Sequence, residues 1–420
     1  MAKQKRDFLD EIIDMQEDWN ALSRTGDDLA AQLAAEPEDE VFYDPADYKE
    51  RPRANSTYCA SAVMRDESVC GRCKDVCPVN AISIEGATVR IGEDCLKCDL
   101  CVAACPTEVF QLRGNAPLAL YDKVARAAAA YEQCYITCTR ALGRIPEPNE
   151  ILLPCVGAMA PEVWFNLLCE FPNLSVYLPL DACERCRTTT GEEFFSDAIA
   201  TAEEWSGETV GLEVDEDALG HEQKRAYKRS QFVSSMTSAG TRLVSRTTPM
   251  LAGAQAVARR LQAHTKQIND LQRVLDGAVG NQGTHARRRM LTRRRRLVMS
   301  GLQRFPDLAE EMTMRFPEVD TERCTMCGDC AKACTVHALQ LDDAGQVHVE
   351  RQYCVCCGSC AAVCPEKAIA MKSRTCEELV VPDPEAEKKA QRKARAAKAR
   401  KESKDTLKKG LDLLESLSDE

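Results

Sequence analysis

Histidine is scarce in this chain, at five residues out of 420. None stands in an H-E-x-x-H or Cys/His zinc-finger spacing, which leaves metal chemistry to thiolate and excludes a catalytic zinc held on imidazole. No G-x-x-x-x-G-K-[ST] or G-x-G-x-x-G occurs, so a nucleotide cofactor has no recognisable seat, and the C-x3-C-x2-C triad of radical enzymes is missing. No stretch approaches the 18 apolar residues that span a bilayer. The opening residues, Met1-Ala-Lys-Gln-Lys-Arg6-Asp, lack the apolar core of a secretory signal, which makes the cytoplasm the expected compartment. A net charge of −11 disfavours non-specific nucleic-acid binding.

Against these absences stand 24 cysteines. In a reducing compartment, clustered cysteine means metal and not disulfide. Two runs near the C-terminal end share one spacing: Cys324-x2-Cys327-x2-Cys330-x3-Cys334, and Cys354-x2-Cys357-x2-Cys360-x3-Cys364-Pro365. Two residues between successive thiols keep three sulfurs on one tight loop, and soft thiolates suit iron–sulfur clusters. Paired zinc sites would give two-membered Cys-x2-Cys units instead of four-membered runs ending x3-Cys. Between the runs, Leu339-Gln340-Leu341 and Val347-His348-Val349 alternate around Asp343-Ala344-Gly345, the pattern of a short hairpin. Thr335 stands where the second run has proline, and Cys356 is an additional thiol.

The spacing recurs near the N-terminal end. Cys95-x2-Cys98-x2-Cys101-x3-Cys105-Pro106 is complete, whereas Cys70-x2-Cys73-x3-Cys77-Pro78 lacks its first member unless Cys59, eleven positions earlier, supplies it across an inserted loop. Five residues after each fourth cysteine comes an apolar residue: Ile82, Phe110, Leu339 and Ile369. Both regions resemble a two-cluster bacterial ferredoxin. In that family the fourth cysteine of each run ligates the other cluster. The resemblance therefore implies four [4Fe-4S] sites: Cys324, Cys327, Cys330 and Cys364; Cys354, Cys357, Cys360 and Cys334; Cys95, Cys98, Cys101 and Cys77; and Cys59, Cys70, Cys73 and Cys105. Without Cys59, the last would hold three irons or take another ligand.

Residues 117–210 have a different rhythm. Lys123–Tyr131 reads as helix, Cys134–Cys138, Ile151–Cys155 and Leu174–Leu178 as short buried strands, and Pro161–Phe171 as helix, which implies a small parallel sheet. Cys138, Cys155, Cys183 and Cys186 fall near strand C-terminal ends, the rim where open α/β sheets place ligands. Cys134 lies at the other end of its strand, and Cys169 sits in an apolar helix as a core residue. The stretch from Cys134 through Cys155-Val-Gly157 to Cys183-Glu-Arg-Cys186 resembles the iron–sulfur (delta) subunit of methyl-viologen-reducing hydrogenase. That resemblance implies a fifth centre, a [2Fe-2S] cluster, on Cys138, Cys155, Cys183 and Cys186. A structural zinc on the same thiolates remains equally open.

The rest is helical in pattern. Phe8, Ile12, Met15, Trp19 and Leu22 form an amphipathic stripe, as do Val257, Leu261, Ile268 and Leu275. Seven arginines between Arg287 and Arg296 read as a solvated basic face. The tail from Lys388 is basic without interleaved aromatics, which suits a partner more than nucleic acid. The expected fold is α+β, with two ferredoxin-like dicluster modules (55–116 and 319–376) flanking a small α/β parallel-sheet domain (117–212). An N-terminal helix and acidic linker (1–54), a helical linker (213–318) and a basic helical tail (377–420) complete the chain. With no catalytic base or nucleophile in evidence, the expected function is electron transfer by a subunit within or serving a larger anaerobic oxidoreductase of hydrogenase or heterodisulfide-reductase type. Redox proteins would be its donor and acceptor. The alternative is an iron–sulfur redox sensor or scaffold whose basic segments bind nucleic acid.

Overall fold

The computed structural model describes residues 43–224 and 289–381. The expected N-terminal helix, the Val257–Leu275 stripe and the basic tail lie outside the described residues.

The first module is closed at both ends by pairing. Strand β1 (Arg53–Ala54) is antiparallel to β4 (Phe110–Gln111), and between them β2 (Ile82–Glu85) and β3 (Thr88–Ile91) form a hairpin. Ile82, Ile84 and Val89 are buried, as the period-two alternation of a half-buried strand requires. The insertion between Cys59 and Cys70 is not a slack loop. It forms a helical turn, Ala60–Met64, and a 3-10 turn, Glu67–Val69, capped by the Asp66 side chain, which accepts from Ser68 N. Ser61 closes its base, accepting from Cys70 N (3.0 Å) and donating to Cys70 O (3.1 Å).

Helix α1 (Pro117–Ala130) follows, with proline at its first position where no amide partner is lost. Four parallel strands come next: β5 (Cys134–Cys138), β6 (Glu150–Leu153), β7 (Leu174–Tyr177) and β8 (Gly211–Glu213), in the spatial order β6-β5-β7-β8. Every residue of β5 and β6 is buried, the mark of strands covered on both faces. Helices α2 (Pro161–Leu168) and α3 (Gly191–Ser206) separate the later strands. The edge strand β8 was not expected, and the chain beyond it stays on the sheet: Asn149 Nδ2 donates to Gly220 O, and Tyr131 pairs with Gln223.

The segment read as a helical linker proves partly interior. Helix α4 (Arg293–Arg304) starts at Thr292, whose side chain accepts from Arg295 N, and it buries Leu297, Val298, Met299 and Leu302 in a core shared by the sheet domain and the second module. Among the described residues of the basic run, Arg293 keeps the solvated position expected of it, but two others do not. Arg294 and Arg295 are buried, because their guanidinium groups find internal acceptors.

The second module repeats the first. Terminal strands β9 (Thr313–Val319) and β12 (Ile369–Thr375) pair along seven residues, which sets its start earlier than the expected residue 319. Strands β10 (Leu339–Leu341) and β11 (Val347–Val349) make the expected hairpin, its turn held by Asp342 accepting from Ala344 N and Gln346 N. The first module keeps a separate core built around Ile84, Val89, Val102 and Phe110. No described helix is long and apolar enough to cross a membrane.

Candidate metal centres

The local chain after each fourth cysteine has one conformation in four copies. Its third residue, Asn80, Glu108, His337 or Lys367, has positive φ. That left-handed turn aims the next amide back at the sulfur: Ala81 N donates to Cys77 Sγ (3.2 Å), Val109 N to Cys105 Sγ (3.4 Å), Ala338 N to Cys334 Sγ (3.2 Å) and Ala368 N to Cys364 Sγ (3.2 Å). The following apolar residue then opens a strand and is buried in every copy.

These turns bring the thiols together in crossed sets. One cavity is lined by Cys59, Cys70, Cys73 and Cys105, a second by Cys77, Cys95, Cys98 and Cys101, and a third by Cys324, Cys327, Cys330 and Cys364. Burial pushes the Cys73 thiol up to about 12, and charge on Cys105, Cys59 and Cys70 adds to the shift. Burial likewise raises Cys330 to about 11, helped by Cys327, Cys324 and Cys364. Buried thiols that oppose one another's ionisation suit a metal core, since thiolate is the form that ligates and a core's positive charge offsets the repulsion. Among the described residues no His, Cys, Asp or Glu group closes around a single ion. The thiols stand around cavities instead.

The fourth set is less regular. Burial raises Cys360 to about 12, with Cys357 and Cys334 adding to it. Cys354, however, shares a hydrogen bond with the extra thiol Cys356, and this bond raises Cys354 and lowers Cys356. Arg295, buried over the ring of Phe316, donates to Cys354 O and to Cys356 Sγ (3.4 Å). Nothing in the arginine-rich sequence marks this residue as a partner of the cysteines.

Asp99, between Cys98 and Leu100 in the second cavity, also escaped the sequence reading. Its carboxyl is 1% exposed, and burial pushes it up to about 7, with charge on Glu50 adding to the shift and the Asn115 side chain opposing it.

In the sheet domain, β5 ends at Cys138, Cys155 follows β6, and Cys183 and Cys186 share a turn after β7 in which Cys186 N donates to Cys183 O. Burial raises Cys155 to about 12, with further contributions from Cys138, Cys98 and Cys186, and raises Cys183 to about 11, with contributions from Glu192, Cys138 and Cys186. Glycine at 191 lets the start of α3 approach this thiol closely, since a Cβ there would lie 2.9 Å from Cys155 Sγ and would have to displace it. Thr188 N donates to Cys186 Sγ (3.5 Å). Cys134, fully buried at the start of β5, stands apart from this group: burial pushes its thiol up to about 12, opposed by charge on Lys224 and with no contribution from the other thiols. Cys169 and Cys376 pack with the shared core.

Two family models match the chain. A 4Fe-4S dicluster domain matches residues 68–117, and a 4Fe-4S binding domain matches residues 316–339. The chain thus carries two ferredoxin-type iron–sulfur domains. The first match begins after Cys59 and takes in Cys70 through Cys105; the second covers Cys324 through Cys334 and ends before Cys354. No curated protein matches the chain. No solved structure matches it either. The likeness of residues 134–186 to a hydrogenase subunit gains no support from these comparisons.

Proposed function

We propose that this protein is a multi-cluster electron carrier, a subunit that relays electrons within or to a larger oxidoreductase. The observation that carries the reading is the fourfold turn in which a buried or half-buried backbone amide donates to the fourth cysteine of each run. Such donors stabilise charge on sulfur and are among the levers that set cluster potentials. The ligand sets are the crossed ones: Cys59, Cys70, Cys73 and Cys105; Cys77, Cys95, Cys98 and Cys101; Cys324, Cys327, Cys330 and Cys364; and Cys334, Cys354, Cys357 and Cys360. The sheet domain adds a fifth centre, [2Fe-2S] or zinc, on Cys138, Cys155, Cys183 and Cys186. The protein would supply burial, sulfur hydrogen bonds and fixed charge, while the clusters supply reversible one-electron chemistry.

For the nucleic-acid alternative, two arginines of the basic run are turned inward, while Arg293 is exposed and the basic tail lies outside the described residues. Arg294 is committed to Glu162 and Ala103 O, and Arg295 to Cys354 O, so neither can meet phosphate. The test is redox titration of anaerobically purified protein followed by EPR. Reversible one-electron signals typical of reduced [4Fe-4S] centres support the reading, and a protein that takes up no electrons between its oxidised form and excess dithionite refutes it.

A further inference from the structure

The cysteine sites do not lie scattered through the fold. The cavity of Cys59, Cys70, Cys73 and Cys105 is also lined by Cys357 and Ser359 of the second module. Arg72, beside Cys73, donates to Cys357 O (3.3 Å), and Thr335, beside Cys334, donates to Tyr58 O next to Cys59 (2.9 Å). The modules therefore meet through the very turns that carry their thiols. At the other end of the first module, Thr190 Oγ1 donates to Val76 O (2.7 Å), one residue before Cys77. The turn after Cys155 packs so tightly on the helix after Cys98 that a Cβ on Gly157 would lie 2.4 Å from Leu100 Cδ2. Electrostatic neighbours follow the same contacts: Cys155 with Cys98, Cys101 with Cys73, Cys70 with Cys357, and Cys360 with Cys330.

We propose that the cysteine sites form one unbranched electron path, ordered through the Cys98, Cys70, Cys357 and Cys327 sites, with the Cys70–Cys357 contact as the junction between modules; with [2Fe-2S] and not redox-inert zinc at the Cys183/Cys186 rim, the path extends to that rim. The path has a port at each end. Cys327 is exposed and its neighbour Met326 is half-exposed, while at the opposite end the chain beside Cys183 carries the exposed Leu180. Each hop moves one electron: the donating site is oxidised by one unit, its neighbour is reduced by one, and no bond or proton is exchanged. A low-potential one-electron carrier protein supplies the electron at one port and an oxidised one-electron acceptor protein removes it at the other. Because electron tunnelling falls steeply with separation, the order of contacts dictates the order of transfer.

This inference rests on the electron-carrier reading, and iron content separates the two. The experiment compares full-length wild type with Cys357→Ser and Cys364→Ser, each reconstituted anaerobically, assayed for iron, and reduced with dithionite for EPR at several microwave powers. The path predicts that Cys357→Ser loses the spin–spin broadening of a first-module signal, whereas Cys364→Ser, at the far site, leaves the first-module signals unchanged. Should Cys357→Ser fail to fold, Arg72→Glu opens the same junction with every thiol in place and should weaken that broadening at unchanged iron. Iron-loaded variants whose first-module signals ignore both Cys357→Ser and Arg72→Glu would overturn the path while leaving the carrier reading standing; an iron-free wild type would remove both.

Discussion

Thr335 Oγ1 donates to the carbonyl of Tyr58 across 277 residues of sequence, at 2.9 Å. The residue stands where the last cysteine run has proline, and proline has no donor to offer. What reads in the sequence as a lapse from the ferredoxin pattern is a clasp between the two modules. Thr335→Val keeps the shape and removes the bond, at a cost of about 1 kcal/mol. Hydrogen exchange should then quicken around residues 55–60 and 334–338 while the β9–β12 pairing stays protected. Unchanged exchange around residues 55–60 would show the clasp to be idle.

Cys59 reaches its cavity because Ser61 ties Cys70 to the start of the inserted turn. Cys59→Ala should therefore lower iron and remove the signal of one first-module centre only, whereas Cys98→Ala should damage the other. Full iron and unaltered reduced-state EPR in Cys59→Ala would remove this residue from the ligand set.

Arg295 places a buried positive charge beside Cys354 and Cys356. A unit charge some 6 Å away, at an effective dielectric of about 20, is worth on the order of 3 kcal/mol, or roughly 100 mV for one electron. Arg295→Met should lower one midpoint potential by an amount of that order, because reduction adds negative charge that the guanidinium no longer offsets. Arg295→Lys should recover most of the shift. Protein-film voltammetry reads both.

Asp99 supplies the pH dependence. Its carboxyl is pushed up to about 7 by burial, so it is neutral below that pH and negative above it. A new negative charge beside Cys98 disfavours reduction, so one midpoint should fall as pH rises through about 7 and level off above it. Asp99→Asn should abolish that slope and hold the potential near its low-pH value. A slope that survives Asp99→Asn assigns the proton elsewhere.

Much of this was legible in the sequence because the signals are local. Cys-x2-Cys spacing, the β10–β11 alternation and the buried runs of β5 and β7 are set by neighbouring residues, and the structure places them close to where the spacing predicts. What escaped depends on distant partners. The arginines of α4 read as solvated because nothing in a basic run reveals that Glu162, Ala103 O and Cys354 O will surround it. The three-residue edge strand β8 is too short for periodicity, and Asp99 looks like any surface aspartate until the folded module buries it.

The most direct test of the account is the metal content of the whole chain. Protein purified and reconstituted without oxygen should hold about 16 iron atoms and a matching amount of acid-labile sulfide per chain if all four thiol cavities are [4Fe-4S] sites, with about two more of each for a [2Fe-2S] sheet-domain centre, or one zinc in its place. A preparation rich in zinc, with little iron and no labile sulfide, would contradict it.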